Sequence, residues 1–286
     1  MLLPEQRELR KKYLGSSDMA AIVGLDKWSN ISDVYLEKTG QLELEPAKEN
    51  GNLPAEIGQI FEDAVCQLFA KIRGVTLEKN IFLHHGIFCS NLDRFITADH
   101  EIVEAKTHGD PDDYGEQYTD EIPESQIIQV HEQFYVVSEA TNRECKVAWV
   151  PVLLPGYKSL QFRIYKVTRN DKLMNDLVAL GNNFWNEHVI PHIPPEPYQP
   201  SLDIIKRIKR VPKTIADIPD TLIAEWQEAA ALEEQAKQLL DGTKSRLLVA
   251  IGNCEAGETE GGRMVTYFEQ QRGRSEERRV GKECRL

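Results

Sequence analysis

Two carboxylates and a lysine stand where a strand pair could gather them around one cation. Glu104-Ala105-Lys106 follows Asp93 at the end of the run Asn91-Leu92-Asp93-Arg94-Phe95-Ile96-Thr97-Ala98-Asp99-His100-Glu101-Ile102-Val103. Side chains alternate across a strand, so Glu104 and Lys106 share one face and Ala105 takes the other. A hairpin that returns the chain from Asp93 to Glu104 would converge both carboxylates and the ammonium. Hard oxygen ligands suit Mg²⁺. A bound Mg²⁺ can activate water and stabilise the charge on a phosphate under attack. A lysine beside it can orient the nucleophile or lower its pKa. The constellation predicts phosphodiester hydrolysis with no covalent intermediate. An acid-x-lysine triplet alone is common by chance, so the surrounding motifs carry the weight.

Those motifs come in order. Leu14-Gly15-Ser16-Ser17-Asp18-Met19-Ala20-Ala21-Ile22-Val23-Gly24-Leu25 is followed by Trp28 and then by Tyr35-Leu36-Glu37-Lys38-Thr39-Gly40. Gly58-Gln59-Ile60-Phe61-Glu62-Asp63-Ala64-Val65 precedes the Asp93 to Lys106 stretch. After it stand Ile122-Pro123-Glu124, Gln129-Val130-His131, Phe184-Trp185 and Pro194-Pro195. This series resembles the YqaJ-like viral recombinase family, relatives of the phage lambda exonuclease within the PD-(D/E)XK nuclease superfamily, over about residues 10 to 197.

The resemblance implies roles for individual residues. Asp93 looks like the central metal ligand, Glu104 the second ligand and Lys106 the catalytic lysine. Glu62 looks like a helix glutamate completing the metal site, and the Ala105 carbonyl is an added ligand. Gln129 looks like the glutamine of a helix packed over the site. Ser16 and Ser17 look like a loop near the DNA end, and Arg94 belongs with these supporting or DNA-contacting residues. Residue types alone allow plainer roles. Glu62 suits a solvated helix face, and Ser16 or Ser17 suits an N-cap. Ala105 departs mildly from the usual Ile, Val or Cys of the triplet.

The implied activity is a Mg²⁺-dependent exonuclease, with Mn²⁺ as the expected substitute. It would act on linear double-stranded DNA from the 5′ end and leave 3′ single strands for a single-strand annealing recombinase. A homo-oligomer, in lambda-type members a trimeric ring, is also implied. Two other classes fit the fold: a structure-selective or restriction-type endonuclease, and a non-catalytic DNA-end-binding recombination adaptor.

The net charge is −12, unusual for a DNA binder. Local basic runs exist at Arg7, Arg10, Lys11 and Lys12, and at Lys206, Arg207, Lys209, Arg210 and Lys213. They predict weak, salt-sensitive DNA binding or simply solvated faces. Five scattered cysteines (Cys66, Cys89, Cys145, Cys254 and Cys284) include no C-x-x-C pair, against a zinc or cysteine-bound iron–sulfur site. The start is mixed and charged, unlike a signal peptide, and no apolar run is long enough to span a membrane. The expected place of action is the cytoplasm of a bacterial host, with a phage or prophage gene.

Patterning predicts an α/β fold, here the PD-(D/E)XK layout of a central mixed sheet flanked by helices, with a C-terminal helix and hairpin appendage. Helices are expected at 16–24, 31–39, 55–73, 123–140, 171–188 and 219–248. Strands are expected at 75–83 and 87–106, with turns at His85-Gly86 and near Asp99, and at 145–154 and 159–167, with a hairpin at 257–270. Residues 41–54 read as a polar loop, and 108–121 as a mobile acidic loop near the DNA path. The domain reading is 1–200 exonuclease domain, 201–218 basic linker, and 219–273 appendage. Leu222, Trp226, Ala229, Ala236, Leu240 and Leu247 approximate a heptad seam, for packing on their own domain or against another subunit or partner. Residues 274–286 resemble the translation of a short sequencing adapter, so a different native tail is expected.

Overall fold

Alternation along the strands divides the core into two faces. The computed structural model describes residues 12–42, 53–107, 110–155, 160–208, 210–267 and 284–285. They fall into two units, Met1–Arg210 and Val211–Leu286. In the first unit, β1 (Leu14–Gly15) leads into α1 (Ser16–Ile22) and α2 (Ile31–Lys38), followed by the long α3 (Leu53–Arg73). Strands β2 (Ile81–His85), β3 (Phe88–Leu92), β4 (Arg94–Ile96), β5 (Glu101–Val103) and β6 (Lys106–Thr107) come next. Helix α4 (Glu124–Thr141) crosses to the hairpin β7 (Val147–Pro155) and β8 (Leu160–Thr168), and α5 (Asp171–Phe184) runs into a π turn at Trp185–Val189.

The main sheet is mixed, as expected for the PD-(D/E)XK layout. β4 pairs antiparallel with β5, β5 and β6 pair parallel with β7, and β8 returns antiparallel on β7. The register Val103↔Trp149 continues as Lys106↔Val152. β5 and β6 are therefore one strand opened at Glu104-Ala105. The strands expected over 87–106 turn near Asp99 as read from the sequence, at 97–100, and are also broken at Asp93 and at Glu104-Ala105. Residues 75–80 hold only an isolated bridge, Glu78↔Phe95.

Ile102, Ala148, Val150, Val152, Leu154 and Tyr165 face α4, where they pack with Val130, Phe134 and Val137. The intervening Ile96, Val103, Trp149 and Ile164 face the other way and pack with Phe69 of α3. The result is helix, sheet, helix, because the central strands β5 and β7 are apolar on both sides. A smaller sheet, in the order β1-β3-β2, packs with α1, α2 and α5 on the far side of α4. A buried ion pair, Lys38 Nζ to Asp18 at 2.6 Å, ties α2 to α1.

Gly181 on α5 lets that helix approach β3. A Cβ there would lie 2.5 Å from the Phe88 ring and 3.3 Å from Met19 Sδ. Gly181→Ala should therefore destabilise by about 1–3 kcal/mol from overpacking, despite a gain of up to about 1 kcal/mol in helix propensity. Urea denaturation checks this, and a variant as stable as the parent would contradict the close approach.

Two expectations are corrected. The loop over 108–121 is pinned where described (Gly109 and His108 lie outside the described residues). Tyr118 N donates to Ile164 O at 2.8 Å and Lys166 N to Thr119 O at 2.9 Å, because the Tyr114 ring is buried against Tyr165. The supposed linker begins too early. Ser201 N donates to Asp33 Oδ1 at 2.7 Å, and Ile208 bridges Leu42, so α6 (Leu202–Ile205) belongs to the first unit. The apolar stripe of α3 is only partly covered: Val65 and Phe69 are buried, whereas Ile57, Phe61 and Leu68 are exposed.

The second unit is α7 (Asp220–Ile251), with β9 (Ala256–Glu258) and β10 (Met264–Tyr267) as an antiparallel hairpin. The helix and hairpin were expected. Of the seam residues, Leu222, Trp226 and Leu240 are exposed, so the seam is not packed within its own unit. Most of the polar loop at 41–54, the basic run Arg7 to Lys11 and nearly all of the adapter-like stretch lie outside the described residues. No helix among the described residues is long and apolar enough to cross a membrane.

Candidate active site

The opening in the main-sheet strand is where the site forms. β4 and β5 pair Arg94 with Val103, so one further step sets Asp93 opposite Glu104. Ala105 N–H leaves the ladder and donates to Asp93 Oδ2 at 2.9 Å. Alternation then separates the neighbours. Glu104 follows Ile102 onto the α4 face, while Arg94 points to the α3 face with Ile96.

Glu104 is 4 % exposed and accepts from three side chains. Its Oε1 takes Lys106 Nζ at 2.8 Å and Gln129 Nε2 at 2.6 Å, and its Oε2 takes Gln133 Nε2 at 2.8 Å. Lys106 Nζ also donates to Gln129 Oε1 at 2.9 Å. Gln129 and Gln133 sit one helical turn apart on α4 and so project side by side. Gln133 went unread in the sequence, although its spacing from Gln129 is the signal that could have found it.

Arg94 is buried and tied to α3, donating to Glu62 Oε1 at 2.8 Å and also to Asp63. Its guanidinium is buried against these two α3 carboxylates. Glu62 lines the same cleft as Asp93, Glu104, Ala105 and Lys106, with Gly58 and Gln59 completing the wall around about 300 Å³. Glu62 is held toward Arg94, and no three acidic, histidine or cysteine side chains converge at metal-holding distance among the described residues. Glu62 thus lines the cleft beside Asp93 and Glu104 while bonded to Arg94.

Charge at this cleft is out of balance in a way that suits a cation. Burial, and then the neighbouring Glu104, push the Asp93 carboxyl well above its ordinary pKa, against the pull of Lys106 and the Ala105 N–H. Two adjacent carboxylates shielded from water need a proton or a cation between them. Burial alone would lower the Lys106 ammonium, but Glu104 and Asp93 outweigh it and hold its pKa above the ordinary value. Lys106 is thus a fixed positive charge here. The available donors are oxygens, the set that hard divalent cations prefer, and the residues present fit Mg²⁺.

Ser16 and Ser17 part company. Ser17 is exposed and borders a cleft of about 160 Å³ that it shares with Ser16, Gly15, Asn91 and Gln129. Ser16 is buried and its Oγ lies 3.0 Å from Ser90 Oγ. Neither serine caps α1; Gly15 holds that position and donates its N–H to Asp18 Oδ2 at 2.7 Å. Ser90 Oγ donates in turn to Glu132 Oε2 at 2.9 Å. Glu132 is 1 % exposed, and burial pushes its carboxyl up to about 8. Nothing in the sequence distinguished it from a surface acid.

The fold and cleft define a class: a mixed-sheet α/β protein that sets an acid pair and a charged lysine at a break in one strand. Residues 6–144 match the YqaJ-like viral recombinase domain, and this segment is a domain of that family. The chain is 32 % identical over 185 residues to the uncharacterized protein YqaJ of Bacillus subtilis (strain 168), covering 63 % of this chain and 54 % of YqaJ. The match thus spans about half of that relative's length. Among solved structures, the chain is similar to an alkaline exonuclease (LHK-Exo) from Laribacter hongkongensis, at 13 % identity and a TM-score of 0.45, covering 67 % of this chain and 94 % of that one. A putative exonuclease from Eubacterium rectale gives 13 % identity and a TM-score of 0.48, with 76 % and 96 % covered.

Proposed function

We propose that this chain is a Mg²⁺-dependent deoxyribonuclease of the phage exonuclease type. It would hydrolyse linear double-stranded DNA from the 5′ end and leave 3′ single strands for a single-strand annealing recombinase in a bacterial cytoplasm. The observation that carries the reading is the cleft in which Asp93, Glu104 and Lys106 meet. Polarity, the recombination role and assembly as a homo-oligomer, in ring form a trimer, are supported by the family alone.

Asp93, Glu104 and the Ala105 carbonyl would hold Mg²⁺, with Mn²⁺ as a substitute and Glu62 at the margin. When bound, such an ion supplies water activation and stabilises charge on the scissile phosphate. The protein's part is positional. Gln129 and Gln133 fix the Glu104 carboxylate, and the Ala105 N–H fixes Asp93. The Lys106 ammonium, held by Glu104 and Gln129, sets a positive charge where a phosphate oxygen would gain negative charge. Beside the ion, Lys106 would position or activate the attacking water.

Incubation of the protein with 5′-labelled linear duplex and with covalently closed circular DNA, in Mg²⁺ or EDTA, tests this. Mg²⁺-dependent release of mononucleotides from the linear 5′ end, with the circle intact, is expected. Cutting of the circle would instead establish an endonuclease, and binding without release would establish an adaptor.

A further inference from the structure

Trp28 sits in the loop between α1 and α2 and is 89 % exposed. Tryptophan is among the more buried residue types on average, so an indole standing almost free of its own protein asks for a role. Its backbone is fixed, with Trp28 N donating to Asp26 Oδ1 at 2.7 Å. The neighbouring Lys27 reaches Asp113 Oδ2 at 3.5 Å, which links the loop to the segment after β6. Trp28 also borders a groove of about 290 Å³ whose other walls include Ser17, Gln126, Gln129 and Lys106. The same Lys106 and Gln129 hold Glu104 in the acid cleft. One groove therefore leads from the proposed site of phosphodiester cleavage to the indole.

We propose that Trp28 is a stacking platform for an unpaired base of the DNA strand whose backbone enters the cleft at Lys106. This rests on the nuclease reading and specifies how its substrate is held. A strand with its phosphate at Lys106 has to leave along a groove, and this one ends at an aromatic face. Stacking suits an enzyme that must pass any sequence, because every base offers a π-face. A stacking platform also supplies affinity without positive charge, which fits a chain of net charge −12.

The test is fluorescence anisotropy in EDTA, so that no turnover is needed. The probes are a blunt duplex, the same duplex with a short unpaired extension, and that extension built from abasic units. Trp28→Ala should bind the base-bearing extension about ten-fold more weakly than the parent, from the usual strength of base–aromatic stacking. Trp28→Tyr should recover most of that affinity, and on the abasic extension the parent and Trp28→Ala should be equal. Equal affinities on the base-bearing extension, or the same loss on the abasic one, would overturn the proposal. Sedimentation of the same proteins guards against another role: a change in mass with no base-dependent loss would assign Trp28 to contact between copies and overturn it too. If the parent binds none of the three DNAs, the nuclease reading itself fails, an outcome distinct from a Trp28 variant that binds as the parent does.

Discussion

Glu104→Gln should lower Mg²⁺-dependent DNA cleavage by about three orders of magnitude while the protein stays folded. The substitution keeps size and shape but removes one of the two charges that would attract the cation. It also breaks the local hydrogen-bond logic. Glu104 is an acceptor only, and it receives Lys106, Gln129 and Gln133 together. A glutamine amide at that place must turn an N–H₂ toward at least one of these donors. The Lys106 ammonium then keeps Gln129 but loses its charged partner, so charge stabilisation at the phosphate falls along with cation binding. The fold should tolerate the change because the repulsion between Glu104 and Asp93 is removed together with the ion pair to Lys106. Thermal unfolding should shift by only a few degrees, corresponding to about 1 kcal/mol. Single-turnover cleavage with the two proteins at matched fold, followed by circular dichroism, separates chemistry from stability. Near-parental cleavage by a folded Glu104→Gln would remove Glu104 from the metal site.

Part of this site was legible because strand geometry is periodic. The alternation that puts Glu104 and Lys106 on one face needs only the assumption of a strand, and Lys106 Nζ does meet Glu104 Oε1. The break at Ala105 was not legible, because it arises from the Asp93 carboxylate competing with the ladder for one N–H. Gln129 could be placed over the site from its motif, whereas Gln133 required knowing which face of α4 meets the sheet. Glu62 shows the limit of motif reasoning. Its partner Arg94 follows Asp93 directly, and the same alternation that sends Asp93 to the cation site sends Arg94 to α3 and Glu62. The 108–121 segment misled for a simpler reason. Its many acidic and polar residues suggest a free loop, but a single buried aromatic, Tyr114, outweighs them by anchoring the segment to β8.

Glu132→Gln should make the protein more stable at pH 9 by about 3–5 kcal/mol, with the difference shrinking toward zero near pH 4. Glu132 lies fully inside, between α4 and the small sheet, and accepts from Ser90 Oγ, which in turn lies next to Ser16. Its Oε1 meets no hydrogen-bond partner among the described residues. Burial, the main cause, raises its carboxyl from an ordinary 4.5 to about 8 despite the two serines, with Asp18 adding to the rise. The sign follows from proton linkage. Above pH 4.5 the unfolded chain ionises at this position while the fold still keeps its proton. Stability is therefore fully present below about pH 4.5 and drains away as the pH rises through about 8. A glutamine cannot ionise and loses nothing over that window. Urea midpoints of the two proteins measured from pH 4 to pH 9 should diverge upward. Parallel curves would mean that Glu132 is ionised in the fold, with its charge compensated by a partner. A stabilising substitution next to Ser16 also asks why the acid is there. Through Ser90, Glu132 joins helix α4, which carries Gln129 and Gln133, to Ser16 at the start of α1, at the edge of the same groove. Replacing it with glutamine keeps the Ser90 contact through the amide oxygen, so cleavage should be preserved while stability rises. Glu132→Leu removes that contact, leaves Ser16 and Ser90 with each other alone, and should impair cleavage by loosening the start of α1.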